Sequence, residues 1–486
     1  MFSSSECIVG RCAAPCVLER ALFNTQATRT LEQTAAATLP AHTLMQRAGL
    51  ALAQLTLAVA PHAKTVWIAC GPGNNGGDGF EAALHLQQWG KHPIVSCLTP
   101  AGALPADAAL SRARAVQAGV IISTSAPVQF DACIDALLGI GSLRPLEGVY
   151  AQWVTRINNS AVPVLAVDLP SGLHADTGQA ATVHVLASHT LSLLTLKPGL
   201  FTAAGRDACG TIWFNPLGTE VCAEASAYLI SSPAPKARLH NSHKGSYGDV
   251  AIVGGDLGMA GAALLAGTAA LHGGAGRVFV AGVGDAPPLR VDATQPELMF
   301  RPFHSLAIAQ MVVVAGCGGG DAMLQHLETV LRQSARLVLD ADALNVLAAQ
   351  TCLQPLLQAR PAGSTVLTPH PLEAARLLQS STDAVQSDRL TAAQTMAERF
   401  ACTVVLKGSG TIVAAPGRKA RINTTGNARL ATAGTGDVLA GLTGALLATH
   451  ADAFSAACAA VHLHGLRADQ WPATARLTAS GLARAL

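Results

Sequence analysis

The sequence is poor in charge. Only 13% of its 486 residues are Asp, Glu, Lys or Arg, and 32 basic against 30 acidic side chains leave a formal net charge of +2. That balance offers no electrostatic footprint for nucleic acid or for an anionic membrane, so neither is expected as a partner. Paired cysteines are missing as well. The 12 cysteines stand singly, mostly inside apolar runs, as at Cys70, Cys97, Cys133, Cys317, Cys402 and Cys458. There is no CxxC, and the Cys12/Cys16 spacing has neither a second half nor a histidine pair. A zinc or disulfide framework is therefore not expected, and buried reduced thiols in a cytoplasmic protein are. A secretory leader is not expected either, because Glu6 and then Arg11 leave no clean apolar core of signal-peptide length in the first residues. One stretch, residues 257–276, carries no charge over the length of a membrane span. Its Ala/Gly content, His272 and strand-like flanks read instead as a buried helix packed closely on a sheet.

What is present is bulk and alternation. Hydrophobic residues make up 50% of the chain, and its length exceeds the roughly 250–300 residues at which single cores stop growing, so two domains are expected. A leading helix is expected over residues 18–38. Short β-rich runs then alternate with Ala/Leu-rich helical stretches such as residues 80–89 and 110–118. The predicted strands of the first half are 65–70, 93–98, 131–138, 163–168, 189–196 and 211–214. The pattern pauses between Gly218 and Lys244, around Ser231-Ser232-Pro233-Ala234-Pro235, and this is the predicted linker. A second series follows at 250–253, 277–280, 311–315, 337–339, 365–368 and 403–406. Continuous apolar runs separated by helices predict parallel sheets covered on both faces, hence an α/β protein of two doubly wound domains without internal repeat.

In the first half, Gly71–Gly79 reads GPGNNGGDG between a strand and a helix. Its glycines let the backbone turn sharply and approach a ligand, and the helix start offers free N–H groups to phosphate. A plain glycine-rich turn is the alternative, but Asn74, Asn75 and Asp78 exceed what a turn needs. Asp135, leading to Gly139, Gly141 and Arg144, and Asp168, leading to Ser171, close two further strands. Each Asp alone could cap a helix. Three such loops converging at the carboxyl edge of a parallel sheet make a site.

The motifs LMQRAG (residues 44–49), GPGNNGGDGF, DALLGIG (135–141), VDLPSGLHADTG (167–178) and TLKPGL (195–200) resemble NAD(P)H-hydrate epimerases. The resemblance covers most of residues 40–220 and implies a Rossmann-like domain at residues 1–225. It places Asn74, Asn75, Gly76, Gly77, Asp78, Gly139, Ile140, Gly141, Ser142, Leu143, Arg144, Pro145 and Asp168 around the hydrated nicotinamide. It also places a potassium ion on Asn75, Asp135 and Ser171. The implied substrate is a hemiaminal with a hydroxyl on ring carbon 6. Inverting that carbon needs loss and return of the C–O bond, by dehydration or ring opening, with proton transfers, and Asp168 is the candidate acid and base, with a purely binding role as the alternative.

The second half carries HKGSYG (243–248), GGDLGMAGAA (254–263), DADALN (340–345), TPHPLEAARLL (368–378), KGSGT (407–411) and AGTGDVLAG (433–441). Gly434-Thr435-Gly436-Asp437 opens an apolar helix whose free N–H groups suit a transferring phosphoryl, with Asp437 placed to take the attacking hydroxyl's proton. A helix cap is the plainer reading of Asp437. The set resembles ribokinase-like proteins, and within them the ADP-dependent NAD(P)H-hydrate dehydratases, implying such a domain at residues 238–486. By that resemblance Lys407, Gly408, Ser409, Gly410, Thr411 and Gly436 contact ADP, and AMP after transfer. Ala262, Gly318, His370 and Asp437 face the hydrated cofactor, although His370 between two prolines could simply stiffen a turn. Arg429 and Ala433 stand where the family has glycine. Magnesium is expected to accompany ADP.

Together the resemblances imply a bifunctional isomerase and lyase that repairs hydrated NADH and NADPH, with Asp168 and Asp437 catalytic. Small molecules are the expected partners, and a homo-oligomer is expected. Two rivals stay open at this level. One is a small-molecule kinase with a regulatory first domain, which would accumulate a stable phosphoester. The other is a first domain serving only for binding.

Overall fold

The computed structural model describes residues 8–9, 21–141, 145–220, 223–234, 238–284, 290–450 and 452–486. Two compact units emerge, one running up to Ala227 and the other from Tyr228. The division falls a few residues before the Ser/Pro-rich stretch, because Ala227–Leu229 forms a strand that pairs in parallel with Arg418–Ile422.

The sheet of the first unit runs in the order Ile8–Val9, Thr211–Asn215, His189–Leu193, Val164–Val167, Ala132–Ala136, Thr65–Cys70, His92–Cys97, Ile121–Ser123. All neighbours are parallel except Ile8–Val9, which lies antiparallel to Thr211–Asn215. From Thr65–Cys70 the chain first winds outward through His92–Cys97, then returns to the other side at Ala132–Ala136. That reversal opens a crevice at the carboxyl ends of these two central strands. Trp67, Ile68, Ala69, Cys133 and Ile134 are all essentially inaccessible, so both faces are covered, as continuous apolar runs require. The leading helix is shorter than expected. It spans Thr25–Thr38, because Asn24 accepts from the Ala27 N–H and fixes the start, while Ala21–Leu22 is extended; residues 18–20 lie outside the described ones.

In the second unit the strands Met299–Phe300, Arg277–Gly282, Asp249–Gly254, Val312–Ala315, Arg336–Leu339, Thr365–Leu367 and Thr403–Leu406 are parallel. Ile412–Ala415 and Arg418–Ile422 extend the sheet antiparallel, a hairpin that strand–helix alternation did not predict. Here too the winding reverses, between Asp249–Gly254 and Val312–Ala315. The uncharged stretch contains the helix Ala260–His272, packed against the helix Thr435–Thr449. A Cβ on Gly441 would stand 2.0 Å from the Ala266 carbonyl oxygen, so this close approach requires glycine. Among the described residues no helix is long and apolar enough to cross a membrane.

Candidate functional site

The first unit holds a cavity of about 1070 Å³ at its crevice. Asn74, Asn75, Asp78, Gly139, Ile140, Gly141 and Asp168 line it, joined by Arg29 and Glu32 from the leading helix. Helix Asn74–Gln88 begins directly after Gly73, so Asn74, Asn75 and Asp78 sit in its first turns at the end of the central strand. The loop before it presses on the next one: a Cβ on Gly71 would lie 1.7 Å from the Leu137 oxygen. Gly76 and Gly77 do not line the cavity. Cβ atoms there would meet the Gly71 oxygen and the Met45 side chain, so these glycines serve close packing. Pro145 is exposed and also outside the lining. Ser142, Leu143 and Arg144 lie outside the described residues.

Asp168 takes a left-handed φ of 66°, uncommon for a residue other than glycine. The turn directs its carboxylate to the Lys197 ammonium, in a buried ion pair, and to the Leu193 N–H at 3.0 Å. Lys197 also donates to the Leu193 oxygen at 2.7 Å. Its role was hidden in the TLKPGL motif, where nothing local reveals that the lysine turns inward. Asp78 has carboxylates for company. Burial, then Asp168, Glu32 and Glu81, hold it well above the usual carboxylate range.

Asp135 and Ser171, both inaccessible, form one unit: the Ser171 hydroxyl and N–H donate to the Asp135 carboxylate at 2.6 and 2.8 Å. Neither caps a helix. Among the described residues the donors to Asp135 are all neutral, and burial pushes it up to about 6. The Asn75 amide nitrogen is buried without a hydrogen-bond partner. A buried carboxylate with no cation beside it among the described residues, a hydroxyl next to it and the oxygen of the Asn75 amide form a donor set that fits a hard monovalent cation.

In the second unit the loops after successive strands meet in the same manner. A Cβ on Gly318 would lie 2.6 Å from the Met259 oxygen and 2.9 Å from the Ala262 Cβ, so Ala262 and Gly318 are in contact. Asp437 sits in the first turn of Thr435–Thr449, where Gly434 with φ 87° is the N-cap. Its carboxylate accepts from the buried Cys317 thiol. Burial first, then Asp340, raises it to about 6, against that thiol and Lys407. The thiol of Cys317 and the carboxylates of Asp340 and Asp437 have ligand atoms within 4.8 Å of one another. Lys407 places its ammonium 2.6 Å from Asp340 and 3.9 Å from Glu373.

His370 does cap a helix: its Nδ1 accepts from the Leu372 and Glu373 N–H groups at 3.1 and 3.3 Å, and its Nε2 lies 3.2 Å from Glu373. The turn-forming reading of His370 thus describes part of what it does. Through Glu373, which burial raises to about 7, it adjoins the Lys407 site. Gly408, Ser409 and Gly410 follow Lys407 in the loop toward Thr411, whose hydroxyl donates to the Gly408 oxygen at 3.1 Å. Gly436 lies beside the lysine. Arg429 directs its guanidinium to the Trp471 oxygen at 3.1 Å, and Ala433 is exposed. Asp340 and Glu373 were not singled out beforehand, and Cys317 only as a buried thiol. Only the position of Asp340 at a strand's carboxyl end signalled it.

Residues 250–485 match the family model described as NAD(P)H-hydrate dehydratase, and residues 41–199 the one described as YjeF-related protein N-terminus. The Bifunctional NAD(P)H-hydrate repair enzyme Nnr of Escherichia coli (strain K12) is 37% identical over 450 residues, covering 89% of this chain and 85% of that protein. The Bifunctional NAD(P)H-hydrate repair enzyme of Leishmania major is 36% identical over 88% of this chain and 84% of its own length. An ADP-dependent (S)-NAD(P)H-hydrate dehydratase of Neisseria meningitidis serogroup B is 44% identical over 254 residues, 51% of this chain and 85% of that protein.

Proposed function

The chain belongs to the bifunctional NAD(P)H-hydrate repair enzymes, and on that premise we propose how its two sites divide the work. It is an isomerase and a lyase in one polypeptide. The first unit interconverts the R and S hydrates of NADH and NADPH, and the second dehydrates the S hydrate with ADP. The observation that carries the assignment to sites is the recurrence of one arrangement: in each unit a buried aspartate at a strand's carboxyl end is paired with a lysine, beside a glycine-rich helix start.

In the first site, loss of the carbon-6 hydroxyl as water is driven by the ring nitrogen's lone pair and leaves a cationic ring. Asp168, pinned by Lys197, faces the cavity where that ring would sit and can exchange the proton of the leaving and returning water. Return of water to the opposite face gives the other epimer. Potassium on Asn75, Asp135 and Ser171 would supply a fixed positive charge at the nicotinamide end. The buried Asp135 carboxylate, met by the neutral donors of Ser171 and Leu137, supports this ion.

In the second site Asp437 takes the proton of the same hydroxyl as it attacks the terminal phosphorus of ADP, and AMP departs. The ring nitrogen then expels phosphate from carbon 6, and loss of a proton from carbon 5 restores NADH or NADPH. The Cys317, Asp340 and Asp437 cluster does not suit magnesium, since a thiol is a soft ligand and Lys407 already neutralises Asp340. Magnesium would instead travel on the phosphates of ADP. A cytoplasmic location and a homo-oligomeric state complete the proposal. The test is product analysis with S-hydrate and ADP. Reduced nicotinamide, AMP and phosphate in equal amounts support the reading, whereas a persistent phosphoester supports the kinase alternative.

A further inference from the structure

Asp340 stands at the N-cap of the helix Ala341–Ala349, where an aspartate ordinarily accepts from the helix's own N–H groups. Its side chain makes no such bond. The carboxylate, only 1% exposed, accepts instead from the Lys407 ammonium at 2.6 Å and the Thr368 hydroxyl at 2.8 Å. The turn that allows this puts Ala341 at φ 47°, a left-handed conformation costly for a residue with a Cβ. A strained turn and an unused cap are thus both spent on one lysine.

Lys407 is also fixed through its main chain. Its N–H donates to the Pro369 oxygen at 2.9 Å, and its carbonyl accepts from the buried Arg389 guanidinium at 3.2 Å. The ammonium is therefore aimed by both ends of the residue. It points toward Gly436, where a Cβ would stand 3.5 Å from Nζ. The cation lies at the first turn of Thr435–Thr449, beside the N–H groups of that turn and the Asp437 carboxylate. Burial works against the ammonium, but Asp340 and Glu373 outweigh it, so Lys407 stays charged. With three donors and one directed at Asp340, hydrogens are left for a second anion.

We propose that Lys407 is a catalytic residue that meets the transferred phosphoryl group of ADP, rather than a contact to its adenosine portion, and that Asp340 is the residue that positions it. The inference rests on ADP-dependent dehydration as the second unit's reaction. In the transfer step the hydroxyl oxygen of the hydrate bonds to the terminal phosphorus, and its proton passes to Asp437. The bond from phosphorus to the bridging oxygen breaks, and AMP leaves with that electron pair. Negative charge on the transferred phosphoryl oxygens faces the Lys407 ammonium and the N–H groups of the helix start together. Preorganisation by Asp340, Pro369 and Arg389 means that the cation need not move when that charge develops.

The test uses the full chain with Lys407→Met, Lys407→Arg and Asp340→Asn. It measures kcat and KM for ADP in dehydration of the S hydrate, with AMP binding followed separately by calorimetry. A wild-type chain that forms no AMP during dehydration refutes the ADP reading itself, before any variant is considered. Given a wild type that does form AMP, Lys407→Met should lower kcat roughly 100-fold or more, the size seen when a charge-stabilising group is removed. Its KM for ADP should stay within about threefold, and Lys407→Arg should recover part of kcat. Asp340→Asn should lower kcat with little change in KM. AMP lacks the transferred phosphoryl, so its affinity should hold within about threefold in Lys407→Met. A raised KM with kcat retained, or a matching loss of AMP affinity, overturns the proposal and returns Lys407 to the adenosine portion.

Discussion

Removing Lys197 alone should damage the first unit more than removing both members of its ion pair. The Lys197 side chain is wholly inaccessible and that of Asp168 is 12% exposed. Lys197→Met leaves a carboxylate in that setting with the Leu193 N–H at 3.0 Å as its remaining hydrogen-bond donor among the described residues. An uncompensated buried charge costs about 3–5 kcal/mol. For a unit of this size each kcal/mol moves Tm by roughly 2–4 °C, so its transition should fall by roughly 6–20 °C. Asp168→Asn should cost less, because the ammonium keeps the Leu193 oxygen at 2.7 Å and the Ser192 hydroxyl at 3.3 Å. The double variant Asp168→Asn/Lys197→Met should recover stability relative to the sum of the single changes, with a coupling of about 1–3 kcal/mol. It should remain unable to interconvert the epimers, which separates the pair's chemistry from its contribution to folding. Calorimetric unfolding of all four proteins supplies the cycle. Additivity within about 0.5 kcal/mol would refute the ion-pair reasoning.

Asp437→Asn should abolish dehydration and leave epimer interconversion intact; folded variant protein with near-normal ADP-dependent turnover removes Asp437 from the mechanism. Because Asp437 must be ionised to accept a proton and its pKa is raised to about 6, the wild-type dehydration rate should fall as pH drops through that value. A rate that is flat from pH 8 to about 5 would contradict the assignment. Epimerisation should be faster in potassium than in sodium or a bulky organic cation, with the difference lost in Asp135→Ala; equal rates in all three salts argue against the ion. A second-unit fragment starting at residue 238 should unfold at lower temperature than one starting at residue 224, since the shorter one lacks the strand Ala227–Leu229. Identical transitions would show that this strand adds nothing.

Fold class could be read from the sequence because parallel strands covered on both faces are continuous apolar runs, and nearly every such run became a strand. Among the strands not predicted, Ile121–Ser123 ends its sheet, while Ile412–Ala415 and Arg418–Ile422 lie inside theirs. Ile121–Ser123 is partly exposed and short, and Ile412–Ala415 with Arg418–Ile422 forms a hairpin inside what reads as a connection. Glycine-rich loops and strand-ending aspartates pointed to both candidate sites, since a doubly wound sheet brings its carboxyl-end loops together. The partners of those aspartates were not legible. Asp168 and Lys197 are 29 residues apart, Asp340 and Lys407 are 67 apart, and only register across the sheet makes them neighbours. Ambiguity between cap and site was likewise resolved by geometry: the helices that follow Asp135 and Asp168 have Glu147 and Lys197 at their N-caps, and the N-cap before Asp437 is Gly434.

The central claim is that one chain both interconverts the hydrate epimers and dehydrates one of them. It is tested most directly by supplying a mixture of R and S hydrates of NADH with ADP and following the absorbance of the reduced nicotinamide. The account predicts recovery of the whole mixture, with one AMP and one phosphate formed for each cofactor restored. Recovery that stops at the S fraction would contradict an epimerising first unit, and no recovery with ADP would contradict the dehydrating second one.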